Sequence, residues 1–213
     1  MLRRRTALSV AAVAAVLLTA PLLTSCGTPH AGAAAVVGGE QITVESVQAK
    51  VAAVRAAQEK TPQAAQLIEA SSDLQRNVVH RLVQNEVIER AAGDIGVSAT
   101  RREIQTARAA SERQAGGKAA LEAQLLQTYA MAPADIDDSI RTDLLMQKVA
   151  AHYGADLQTP EGQTELIKVL RDASKKLGID VNPRYGTWNS DKLDLDVTKE
   201  PWLREVSRPS AQA

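Results

Sequence analysis

Between Ser72 and Ile95 apolar residues return every fourth position in two interleaved series, Leu74, Val78, Leu82 and Val79, Val83, Val87, continued by Ile88, Ala91 and Ile95. That spacing places them on one face of an α-helix. At about 1.5 Å per residue the helix is roughly 36 Å long, the width of a small domain. A chain containing it must wrap other elements around that face or leave it in water. The remaining material suits helices. Ala, Leu and Val carry most of the 45% hydrophobic content, Phe is absent, and Tyr129, Tyr153, Tyr185, Trp188 and Trp202 are the only aromatic residues. Ala and Leu favour helix, whereas strand-rich domains draw on aromatic and β-branched residues. The composition predicts a mainly α fold with a modest core, since large rings are scarce.

Before the long helix, Val36-Val37-Gly38-Gly39-Glu40-Gln41-Ile42 reads as strand, Gly-Gly turn and strand, a two-residue hairpin whose turn needs positive φ. Thr43 then caps a helix through Val44, Val47, Val51 and Val54, and Thr61-Pro62 restarts one. After Gly96, Ser98 is read as the cap of a helix with Ile104, Ala107 and Ala110 that stops at Gly116-Gly117. Leu121, Leu125 and Tyr129 line a shorter helix. Ala132-Pro133 opens another, with Ile136, Ile140, Leu144, Leu145 and Val149 inward and Asp137 placed to pair with Arg141. Gly154 to Gly162 is a break. A last helix carries Leu166, Ile167, Leu170, Ala173 and Leu177 and ends in basic residues before Gly178. Ile179-Asp180-Val181 alternates as a short strand, 182–188 is rich in turn formers, and the residues after Asn189 read as a polar, extended tail.

The first 25 residues differ from the rest. Arg3-Arg4-Arg5 precede an apolar run from Ala7 to Leu23, as in a secretory signal. The run ends in Leu23-Thr24-Ser25-Cys26, which resembles the lipobox of bacterial lipoproteins. That resemblance implies cleavage before Cys26, with Leu23, Thr24 and Ser25 recognised by the signal peptidase, and diacylation of the Cys26 sulfur. Two acyl chains hold a protein stably at a membrane, where one does so marginally. Residues 26–35 then form a flexible tether of small residues, with His30 a solvated linker residue. The expected location is extracytoplasmic, lipid-anchored to the cell membrane, where no ATP pool exists. The chain from residue 26 onward holds 22 basic and 25 acidic residues, a net charge of −3, which is unsuited to nucleic acid.

Candidate chemistry fails on spacing. Gly117-Lys118 lacks a phosphate loop's other residues, since Glu112 and Ala119 stand where Gly and Ser or Thr are needed. One Cys excludes a disulfide framework and a cysteine-built zinc site. His80 and His152 have no H-E-x-x-H spacing and read as helix-surface or partly packed residues. Asp135, Asp137, Asp138 and Asp143 read as charge near a helix start. Asp191, Asp194 and Asp196 lack the Gly and terminal Glu of a calcium loop. No catalytic or metal residue is assigned, no cofactor or nucleotide is expected, and the chain is read as not an enzyme.

The order of parts resembles the extracytoplasmic chaperones of the SurA type and the related PrsA-like foldases. Their opening A-V-V-N-G-E-x-I-T is matched by Ala35-Val36-Val37-Gly38-Gly39-Glu40-Gln41-Ile42-Thr43, with Gly38 in place of Asn. Their long-helix pattern fits Leu82-Val83-Gln84-Asn85-Glu86-Val87-Ile88, Ala91-Ala92 and Ile95-Gly96-Val97. Gly116-Gly117 to Val149 resembles their next two helices, and Asn182-Pro183-Arg184-Tyr185-Gly186-Thr187-Trp188 the closing segment of actinobacterial lipoproteins of this class. The likeness covers roughly residues 35 to 189.

It implies a helical chaperone-type domain over 36–189, with a small β element formed by the N-terminal hairpin and the C-terminal closing segment, and a polar tail over 190–213. Val36 and Val37 are expected to meet the closing segment, with Tyr185 and Trp188 as its anchors. Foldases of the family insert a parvulin-type isomerase before the closing segment, and Gly154 to Pro160 has no room for it. The implied function is ATP-independent binding of unfolded or exported polypeptides without prolyl isomerase activity. The walls would come from helices 73–95 and 134–152, and individual client-binding residues are not assigned. An adaptor lipoprotein binding one cell-envelope partner is the alternative.

Overall fold

The computed structural model describes residues 32–196. The signal segment, Leu23, Thr24, Ser25, Cys26, His30 and Trp202 lie outside the described residues. Strands β1 (Ala33–Val37) and β2 (Glu40–Thr43) form an antiparallel hairpin, turned by Gly38 and Gly39 at φ +60° and +91°, a region open to Gly at little cost. Thr43 leads directly into α1 (Val44–Gln58), its Oγ1 accepting from the Ser46 N–H. A short α2 (Ala64–Ala70) follows. Thr61 does not cap it, because its hydroxyl donates back to the Gln58 carbonyl.

The long helix α3 (Leu74–Asp94) is the axis of the domain. Val78, Val79 and Val83 are fully buried, and α1, α6 (Ile136–His152), α7 (Pro160–Leu177) and β1 all pack on it. Before α6, α4 (Arg101–Ala115) and α5 (Lys118–Tyr129) form a helical pair against it. None of α4's residues is fully buried, so this pair adds only a small second core of Leu121, Met131 and Ile136. Tyr129, expected to line α5's inner face, is 63% exposed.

The cap of α4 is Thr100 rather than Ser98. Thr100 and Glu103 form a reciprocal capping box, which Ser98 cannot form because position 101 is Arg. Glu103 also accepts from Lys148 Nζ of α6 at 2.7 Å. That bond first, and the Thr100 bonds next, depress the Glu103 carboxyl from 4.5 to about 2. A depressed folded-state value means its contribution is whole above about pH 4.5 and is lost as the pH falls toward 2. Glu103→Gln is therefore expected to flatten the pH dependence of the melting temperature between those limits. An unchanged pH profile would place the acid sensitivity elsewhere.

Another local pairing is overridden. Asp137 accepts from Arg108 of α4 at 2.7 Å, while Arg141 reaches Glu89 of α3 at 2.6 Å. The expected Asp137–Arg141 pair does not form, because each side chain has a partner on a neighbouring helix.

The chain closes on its own beginning. β3 (Asp180–Val181) pairs antiparallel with β1, Ala35 facing Val181 and Val36 facing Asp180, giving a sheet of order β2-β1-β3. The Asn182 N–H donates to the Ala34 carbonyl at 2.9 Å. Ala33, Ala34 and Ala35, read as tether, are fully buried: with no bulk beyond Cβ they let β1 lie close against α3. The far boundary moves too. β4 (Thr187–Asn189) pairs with β5 (Asp194–Asp196), and Leu195 is buried. The segment after Asn189 is thus a hairpin up to Asp196, because Leu193 and Leu195 dock on the core.

Candidate functional site

A cleft of about 250 Å³ opens between α3 and α6, with α1, α7 and the β4–β5 hairpin at its margins. Its apolar walls include Leu82 and Ile88 from α3, Met146 from α6, Leu170 from α7, and Met131 and Leu193 from connecting segments. Concave sites lined mostly by apolar side chains with a few polar groups are the usual form of a binding site. Methionine, with three rotatable bonds and a polarizable sulfur, lets such a wall adapt to different occupants.

The polar groups come from α1, α3, α6 and the 3₁₀ turn before α6. Lys50 of α1 forms an ion pair with Asp135 Oδ1 and lies 3.8 Å from Asp138 Oδ2. Asp135 sits in the 3₁₀ turn Pro133–Asp135 and is buried. Its other oxygen, Oδ2, is buried without a hydrogen-bond partner. Arg81 of α3 also lines the cleft, and its Nη2 is buried without a partner. Burial draws the Arg81 guanidinium below its usual value, and the Asp135 charge opposes that shift. These are the two unsatisfied buried side-chain atoms among the described residues.

Of the residues expected to close the domain, Trp188 lines this cleft and Val36, Val37 and Tyr185 do not. Val37 is buried and Val36 half-buried in β1, and Tyr185 is buried beside α3. Trp188 is half-buried. Its Nε1 donates to Ser174 Oγ of α7 at 2.9 Å, and its ring lies 5.9 Å from that of His80. Trp188 also forms part of the cleft wall, so it joins the closing segment to the site. His80 Nε2 stands 3.2 Å from both the Leu193 carbonyl and Asp194 Oδ1, which ties the last hairpin to α3. His152 stacks edge-on against Tyr153.

Lys50, Arg81 and Asp135 were not singled out as a site by their spacing. One signal was present: Arg81 stands seven residues from both Leu74 and Ile88, on the apolar stripe of α3, where a lone cation calls for a partner. Asp191, Asp194 and Asp196 do not converge with other ligands. No group of three or more His, Cys, Asp or Glu residues suited to a metal exists among the described residues. No described helix is long and apolar enough to cross a membrane.

A mainly α domain, threaded on one long helix, closed by a sheet between its two ends and carrying an apolar-walled cleft, is the class these features define. The model of the SurA-like N-terminal domain matches residues 1–150, and the chain belongs to that chaperone-type, extracytoplasmic family. The match ends within α6, so α7 and the closing strands lie beyond it. No curated protein and no solved structure matches the chain. Between α6 and α7 only Tyr153 to Thr159 intervene, so no domain is inserted there.

Proposed function

We propose that the protein is an ATP-independent holdase for unfolded or newly exported polypeptides, anchored by lipid at Cys26 to the outer face of a membrane. It binds without catalysis and has no prolyl isomerase activity. The observation that carries this reading is the apolar-walled cleft between α3 and α6 in a chain of the SurA-like N-terminal family. Clients outside the cytoplasm bind and leave by mass action, without a nucleotide cycle. A partly apolar site suits that need, because moderate affinity permits release.

The test adds the protein, without nucleotide, to an aggregating unfolded substrate. Slowed aggregation at several-fold molar excess is the expected result. Failure to slow it, together with no binding to unfolded peptides, would defeat the holdase and favour an adaptor with one dedicated partner.

Anchoring has its own test. Leu23-Thr24-Ser25-Cys26 supports it, since the single Cys of the chain falls at the position the lipobox requires. Cys26→Ala is expected to leave the precursor uncleaved or to release the protein from the membrane fraction. Unchanged processing and fractionation in that variant would refute lipidation at this position.

A further inference from the structure

We infer that the segment Trp202-Leu203-Arg204 of this chain folds back over the α3–α6 cleft and closes it, with Trp202 and Leu203 on its apolar walls and Arg204 beside Asp143. This is a regulation of the site: it rests on the reading that the cleft is a binding site, and makes the tail the occupant that any other must displace. Its first basis is where the described residues stop. The β4–β5 hairpin brings Trp188 and Leu193 into the cleft wall, and Asp196, the last described residue, pairs with Thr187 next to Trp188. The residues that follow therefore leave from the margin of the cleft.

Reach and composition select the segment. Trp202 stands six residues beyond Asp196, up to about 20 Å of extended chain. Packed helices stand about 8–10 Å apart, so that length crosses the space between α3 and α6. Within residues 197–213, Trp202-Leu203 is the one pair of adjacent large apolar side chains. Leu82 and Met146, both half-buried in the cleft wall, offer them apolar surface. Charge agrees: Asp135, Asp138 and Asp143 line the cleft against Lys50 and Arg81, whereas residues 197–213 hold three basic and two acidic residues. Asp143 has no ion pair or side-chain hydrogen bond among the described residues, and loss of water around it pushes its carboxyl up. A guanidinium beside it supplies the missing partner. A segment tethered so near meets the cleft at an effective concentration on the order of millimolar, so a weak contact closes it and a stronger occupant displaces it.

The experiment uses the full-length protein in lipid nanodiscs with Met146→Cys in the cleft wall. It reads, by mass spectrometry of the labelled peptide, the rate at which an uncharged maleimide modifies that thiol. Labelling is expected to quicken about threefold or more when residues 197–213 are deleted, and likewise with Trp202→Ala. Arg204→Glu is expected to quicken it about twofold, the scale of one exposed ion pair. Asp143→Arg in the same chain should then restore protection by exchanging the two charges. A general loosening of the fold would not be reversed by that exchange.

Equal labelling with and without residues 197–213 overturns the inference, and so does a charge exchange that restores nothing. Protection that is lost on dilution also overturns it, since a second copy would then be the cover. Aggregation assays on the same samples keep the two readings apart. Slowed aggregation with labelling indifferent to the tail defeats self-closure and keeps the holdase. Tail-dependent labelling without slowed aggregation does the reverse.

Discussion

Removal of residues 179–213 is expected to abolish cooperative folding at ambient temperature or to lower the melting temperature by more than about 10 °C. The deletion removes Val181, Tyr185 and Leu195, all buried, and strips β1 of its β3 neighbour. Each such side chain contributes about 1.5–3 kcal/mol of burial, so the loss is on the order of 5 kcal/mol or more. Whole domains of this kind are stable by only about 5–15 kcal/mol, and each kcal/mol corresponds to about 2–4 °C at this size. The Ser174 hydroxyl, itself buried, would also lose its bonds from Trp188 and to Ser190. A thermal melt followed by circular dichroism decides it. A truncated protein that melts with the full-length one would show that the closing segment is an ornament of the fold.

Gly162→Ala is expected to lower stability by about 3 kcal/mol, although alanine is the better helix former. Gly162 lies in the first turn of α7, where the α6–α7 connection folds over it. An added Cβ would stand 2.0 Å from the Asp156 carbonyl oxygen and 2.5 Å from its nitrogen. Those are backbone atoms, so no rotamer change relieves the overlap. Gly93 is the control: it is helical, an added Cβ meets nothing within 4 Å, and Gly93→Ala should raise stability by roughly 1 kcal/mol. The measurement is the denaturation midpoint of both variants. A neutral Gly162→Ala would mean that the connection does not rest on α7 as described.

Where a signal was local, the residues themselves carried it. The i+4 stripe from Leu74 to Ile95 became α3, whose apolar face is the core. Gly38-Gly39 became a hairpin turn, and Thr43 and Gly178 bound their helices as cap chemistry requires, while the break read over Gly154 to Gly162 ends earlier, because Thr159 caps α7 at Pro160. The mainly α class follows from the same source, since helix needs only partners three and four residues away. The resemblance to SurA-type chaperones rested on the order of such local patterns, and the family match carries it.

What lay between distant segments was harder to read. The packing of 36–43 against 179–188 was expected from two apolar strand-like pieces too short to stand alone. Its register, and the burial of Ala33 to Ala35, were not, because alanine reads equally as linker or as close packing. The hairpin through Asp196 was missed because polar turn residues hid Leu193 and Leu195.

The sequence alone determined the long helix, the hairpin turn and the fold class, because each depends on residues near one another in the chain. Tertiary structure decided which charges pair, as Asp137 with Arg108 and Lys50 with Asp135. It also decided that Arg81 and Asp135, 54 positions apart by number, line the same cleft. Such a meeting is set by how helices cross, and the crossing is fixed only when the whole core packs.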